Sequence, residues 1–213
     1  MMILNTLNQP LQLIAFVVAF LVGLTIHEYA HAWTAYRLGD DTAKLMGRLT
    51  LNPLKHLDFL GLLFILIVGV GWAKPVPYDP RNIKDQNGEI KIALSGVFAN
   101  LLLALVLGAA IRIATAYGIS IDSSPALSFV ATIVFVNLAL VAFNIIPIPP
   151  LDGSRVIESY LSFENRLKFE QIGPMILVGI IVGQQLLGFP LLTTIIEPII
   201  RFLSFATTGM VVI

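Results

Sequence analysis

From Leu11 to Tyr36 the chain carries a single charged side chain, Glu28. At 1.5 Å per helical residue such a stretch outreaches a hydrocarbon core of about 30 Å, and in lipid a helix satisfies its own backbone polar groups. Further charge-free runs cover Ile92–Ile111, Ser123–Leu151 and Gln171–Ile196, and a last one extends from Phe202 to Ile213. An ordinary soluble core needs no such runs, and charged residues make up 12% of the chain against about 25% in soluble domains. The expected fold class is an all-α polytopic membrane protein with about five to six membrane helices. Net charge is zero, so nothing suggests nucleic acid as a partner. Cysteine is absent, which excludes disulfides and thiolate metal sites and leaves histidine, carboxylate or water to hold any metal. The N-terminus lacks a basic n-region and a small-residue cleavage site, so its apolar run is expected to be retained.

Basic residues orient the spans. Arg37, Lys44, Arg48 and Lys55 precede a shorter apolar run, Phe59–Ala73; Lys74, Arg81, Lys84 and Lys91 follow it; Arg155, Arg166 and Lys168 follow the third long run. As a helix the short run reaches only about 22 Å, less than a crossing. If it dips in and returns, eleven of the thirteen basic residues share one face, which the positive-inside rule makes cytoplasmic. A re-entrant or interfacial segment is therefore expected between the first two long spans, with the N-terminus and the Arg112–Ser124 loop outside. After Glu170 the chain is expected to cross again, turn near Gly188-Phe189-Pro190, and return with a kink at Pro198. Thr42–Leu51 is β-like in pattern, and Lys74–Tyr78 is extended by its prolines. Two short cytoplasmic-side strands are thus expected as an alternative to plain loops, and such an edge could receive an unwound substrate by strand addition. Residues 1–213 read as one integral-membrane domain, with a core at about 11–155 and C-terminal helices at about 171–213.

Within the first span, His27-Glu28-Tyr29-Ala30-His31 is an H-E-x-x-H sequence. Composition alone yields about 0.001 such matches in a chain like this one. Residues four apart share a helix face, so both imidazoles can reach one metal ion while Glu28 approaches from the same side. Neutral imidazole suits zinc, a third ligand completes the protein shell, and an open position lets zinc lower the pKa of water to about 7. Glu28 is then the general base. The competing reading, a His/Glu network that glues helices, does not require this spacing.

A third ligand has to come from another span. Asn144-Ile145-Ile146-Pro147-Ile148-Pro149-Pro150-Leu151-Asp152-Gly153 places a carboxylate where prolines end the third long run. Asp152 is the chosen ligand, with the alternative that this Asp-Gly simply turns the chain and caps the following helix. Asn144 can donate to a developing oxyanion without burying another charge, or can serve as helix glue.

Together, His27-Glu28-x-x-His31, Gly96-Val97-Phe98-Ala99-Asn100 and Asn144-x-x-Pro147-x-Pro149-x-Leu151-Asp152-Gly153 resemble the site-2 protease family of intramembrane zinc metalloproteases. The resemblance covers roughly Val17 to Arg155 and is that of a compact bacterial-type member without PDZ or CBS domains. It implies a zinc metalloendopeptidase that hydrolyses peptide bonds in or near transmembrane segments of membrane-protein or peptide substrates. It further implies one zinc per chain on His27, His31 and Asp152, with Glu28 and Asn144 as catalytic residues. The implied location is the cell membrane, multi-pass, with the lipid bilayer as partner and the active site towards the cytoplasm. Gly96 and Asn100 match the family's G-x-x-x-N element, for which helix packing is the physical reading.

Other polar residues are expected to be structural. His56 reads as a surface residue, Glu197 and Arg201 as an i,i+4 ion pair, and Asn137 as a hydrogen bond between helices. Arg155–Glu170 reads as an amphipathic surface helix. Two rival functions stand beside the protease: a transporter or channel lined by the intramembrane polar groups, and a metal-binding relative without catalysis.

Overall fold

In this computed structural model, residues 10–68, 71–188 and 190–211 are described. Residues 69 and 70 of the short apolar run, Phe189 of the expected turn, and both chain ends therefore lie outside the described residues. The helices are α1 (Pro10–Arg37), α2 (Thr42–Leu45), α3 (Phe59–Val68), α4 (Gly88–Ala116), α5 (Pro125–Asn144), α6 (Ser154–Glu158), α7 (Phe163–Leu187) and α8 (Leu191–Thr208), with 3-10 turns at Pro53–Lys55 and Pro80–Asn82. Four of them, α1, α4, α5 and α8, are long and apolar enough to cross a membrane.

Helices α1, α4 and α5 pack on one another, and α8 packs on α4 and α5. In lipid, helix association rests on close van der Waals contact, which small residues permit. Gly23 brings α1 against α5, where an added Cβ would lie 2.9 Å from Leu140 Cδ1; Gly108 brings α4 equally close to the Thr207 carbonyl of α8. Ala104 and Ile111 of α4 pack with Leu127, Ala131, Val134 and Leu138 of α5. The outer surface keeps large apolar side chains such as Phe98, Val106, Phe202 and Phe205 exposed, as lipid contact requires.

After Glu170 the chain forms α7 and α8 with a turn at Gly188 between them and Pro198 inside α8, and of the two α8 is long and apolar enough to cross. Helix α7 begins beside α4, where Arg166 meets Glu89 at 2.8 Å. Leu192, at the start of α8, packs with Ile146, Leu151 and Leu177. Helix α8 then runs along α5 to the opposite end, with Leu203 on the Ala104–Leu127 cluster and the Arg112 guanidinium donating to the Phe205 carbonyl. The charged first turns of α7 are held by Glu89 and Arg155, and Gly173 sits on Pro149, so its apolar face covers the Pro-rich loop. The Glu197–Arg201 pair forms at 2.7 Å.

No strand occurs among the described residues, and this corrects the β-like reading of Thr42–Leu51. Asp40 accepts from the Thr42 amide at 3.2 Å and its hydroxyl at 2.6 Å, which starts the short helix α2 instead. Lys74–Tyr78 is extended but without a ladder: its carbonyls are taken by the Arg48 side chain. His56 is also corrected, being fully buried, with the Thr50 carbonyl 2.8 Å from its Nε2. The Lys74 amide donates to the His56 carbonyl at 2.9 Å, so the chain that leaves His56 for α3 comes back to it.

Asp40 ties the end of α1 to this returning segment, also accepting from the Asp79 amide at 3.0 Å and the Asn82 carboxamide at 2.8 Å. Burial alone would raise its carboxyl, but the hydrogen bonds from Thr42, Asn82 and the Asp79 amide hold it below its ordinary value. A depressed carboxyl contributes stability that is present above its unfolded value of about 3.9 and is lost as pH falls through the folded value. Asp40→Asn is expected to lower stability by about 1–3 kcal/mol at pH 7, with the gap to wild type closing in acid. Thermal unfolding in detergent at several pH values checks this.

Candidate active site

Helix α1 presents His27, Glu28 and His31 towards one cavity of about 730 Å³. All three side chains are buried, and the two imidazoles meet edge to face with centroids 4.5 Å apart. The Nε2 atoms of His27 and His31 are 3.0 Å apart. Asp152 Oδ2 lies 3.0 Å from His27 Nε2 and 3.3 Å from His31 Nε2.

The loop after α5 delivers Asp152. Gly153 N–H donates to the Asn144 carbonyl at 2.7 Å, folding the Pro-rich segment back on the end of α5. A Cβ at Gly153 would collide with the Ile145 carbonyl, so the turn requires glycine there. Helix α6 has Gly153, not Asp152, at its N-cap and no side-chain cap bond. The capping alternative for Asp152 therefore falls away, and its carboxylate is turned to the histidines.

The donor set fits zinc. His31 Nδ1–H donates to the Ile92 carbonyl at 2.7 Å, which leaves Nε2 with a bare lone pair, the arrangement usual for a metal-ligating imidazole. His27 Nε2, His31 Nε2 and Asp152 Oδ2 face one another, and ligands about 2.0 Å from a tetrahedral ion would sit roughly 3.3 Å apart, close to the spacing observed. Among the described residues these three side chains form the group able to hold a metal ion.

Glu28 stands beside this triangle, its Oε2 accepting from the Val76 amide at 3.1 Å. Asn144 lines the same cavity, with Nδ2 donating to the Leu140 carbonyl at 3.0 Å. Apolar walls come from Phe20, Leu24 and Phe64 on one side and Leu177, Val178 and Ile181 of α7 on the other. Asn137 donates to Ile133 of its own helix rather than across helices. Gly96 does more than let helices approach: a Cβ there would lie 2.6 Å from both His27 Cε1 and His31 Nε2. Sequence reading passed over Val76, although Pro75 and Pro77 leave it the one amide donor between Lys74 and Tyr78, and passed over Arg48, whose burial nothing in a basic loop announces.

The profile of peptidase family M50 matches residues 15–116 and 106–183. YwhC of Bacillus subtilis (strain 168), named as a zinc metalloprotease, is 38% identical over 200 residues, covering 92% of this chain and 90% of that one. Rip2 of Mycolicibacterium smegmatis, named likewise, is 31% identical over 180 residues, 80% of this chain and 67% of its own. Zinc metalloprotease MJ0392 of Methanocaldococcus jannaschii is 24% identical over 159 residues, 75% of this chain and 38% of its own. No solved structure gives a significant match. With that match running through the H-E-x-x-H helix and the Asp152 loop, the chain belongs to peptidase family M50, the site-2 protease family, and is an intramembrane zinc metalloprotease.

Proposed function

We propose that His27, His31 and Asp152 hold one zinc ion and that Glu28 and Asn144 act on a substrate peptide bond in or near a transmembrane segment. The observation that carries this reading is the 3.0–3.3 Å triangle of His27 Nε2, His31 Nε2 and Asp152 Oδ2, with Glu28 beside it at the same cavity. Zinc, when bound, supplies Lewis acidity that polarises the scissile carbonyl and makes water acidic. Glu28, with Oε2 held by Val76, uses its other oxygen to take a proton from the attacking water and later returns it to the leaving amine. Asn144 keeps one amide proton on Leu140 and directs its second N–H to the developing oxyanion. A substrate helix has to unwind locally, since its carbonyls are otherwise occupied and shielded. The apolar cavity walls favour apolar substrate side chains.

We further infer a single domain with four crossings, α1, α4, α5 and α8, in the cell membrane. Eleven basic residues then share the face of the site, supporting a cytoplasmic-side active centre. The bond joining Lys74 to His56 supports α3 as part of a re-entrant segment, and the packing of Leu192 with Leu151 supports α7 as a helix lying along that face. The test is metal content after purification. Wild type is expected to carry about one zinc per chain, and Asp152→Ala to bind zinc at least about 100-fold more weakly, since a lost ligand costs more than a lost outer-shell partner. Full zinc occupancy in Asp152→Ala at equal free zinc would overturn the ligand assignment.

A further inference from the structure

The carboxylate of Glu28 is held by a backbone strap, and the strap is held in turn by Arg48. Pro75 and Pro77 have no amide proton, so the Val76 N–H that reaches Glu28 Oε2 at 3.1 Å is the donor this stretch can offer. The carbonyls immediately before it are both engaged by one guanidinium: Arg48 Nη2 donates to Lys74 at 2.6 Å and Nη1 to Pro75 at 3.2 Å. Arg48 is itself buried, and Gly47 with φ of +66° makes the turn that sends it inward. On either side the strap is fixed again, by Lys74 N–H on His56 and by Asp79 N–H on Asp40. A segment pinned at both ends and in the middle is a frame rather than a lid.

We propose that Arg48 is a positioning residue for catalysis, which sets the Lys74–Pro75 carbonyls so that Val76 N–H fixes the rotamer of Glu28. Arg48 is not among the residues that line the cavity, and its hydrogen bonds go to the Lys74 and Pro75 carbonyls rather than to the metal-binding atoms. A planar fork suits this task, because it grips two successive carbonyls at once, whereas a lysine ammonium is a point donor. The inference rests on Glu28 as the general base. Its chemical effect is on turnover: a base whose carboxylate swings loses orientation while substrate binding and zinc ligation stay as they were.

The experiment compares wild type, Arg48→Met, Arg48→Lys, Val76→Pro and Glu28→Gln in detergent. It measures zinc content, Tm, and steady-state cleavage of a fluorophore–quencher-labelled apolar transmembrane peptide of about 20 residues. Arg48→Met and Val76→Pro are each expected to lower kcat about 10- to 100-fold with KM within about twofold and zinc retained, and Arg48→Lys to fall between. Val76→Pro removes the amide without touching Arg48, so it decides the matter if Arg48→Met fails to fold. Unchanged kcat in the folded variants, or a loss that appears in KM or zinc content instead, overturns the proposal. Cleavage by Glu28→Gln at the wild-type rate would instead overturn the role of Glu28 itself, and so separates the two failures.

Discussion

Glu28→Gln is expected to lower peptide hydrolysis by about 10²- to 10⁴-fold while about one zinc per chain stays bound. The substitution keeps the shape of the side chain and its acceptor oxygen, so the Val76 amide can still donate to it. What it removes is the capacity to take and return a proton. Since the metal-competent triangle is His27, His31 and Asp152, with Glu28 outside it, zinc occupancy should not follow activity down. Paired zinc analysis and turnover measurements check the outcome; parallel loss of both would place Glu28 among the ligands.

Gly96→Ala is expected to remove stoichiometric zinc and with it at least about 10²-fold of the activity, through one methyl group. The added carbon would stand 2.6 Å from His27 Cε1 and His31 Nε2 and 2.7 Å from His27 Nδ1. These neighbours are ring atoms with no flexible end to yield, and the bond from His31 to Ile92 holds one of the rings. Either α4 backs away from α1 or the imidazoles rotate out of the triangle. Gly179→Ala is the control, because nothing lies within 4 Å of a Cβ there. Metal content and Tm of both variants check the contrast: a zinc loss confined to Gly96→Ala marks the contact, not a general intolerance of alanine.

The two histidines and the glutamate were legible because their geometry is local. A spacing of four on one helix fixes which side chains share a face before any tertiary contact exists. Asp152 was legible for a weaker reason, its place at a proline-broken span end, and its competing role as a cap could be dismissed only when Gly153 took the N-cap. Gly96 stood in a recognised pattern, yet its closeness to the imidazoles belongs to the approach of α4 to α1 and has no signature in composition. The same holds for Asp40 and Arg48. Both look like ordinary charges in a polar loop, and both are buried because the chain returning at Lys74 closes over them.

After Glu170 the expected turn forms at Gly188, between α7 and α8, and of these two helices α8 is long and apolar enough to cross. Hydropathy reports that a run is apolar; it does not say that Leu177 of such a run packs on the Pro-rich loop while Met175 and Leu186 stay exposed. Helix α7 contributes to the wall of the cavity, and α8 alone continues along α5 to the Arg112 end.

By itself the sequence determined the membrane class and the shared helix face of His27, Glu28 and His31, because charge desolvation and helical periodicity act within a segment. Tertiary structure decided what holds that chemistry in place: the glycine that leaves room for the imidazoles, the carbonyl that orients His31, and the strap that holds Glu28. Those are contacts between residues far apart in the chain, and only the packing of helices that share small residues brings them within hydrogen-bonding distance.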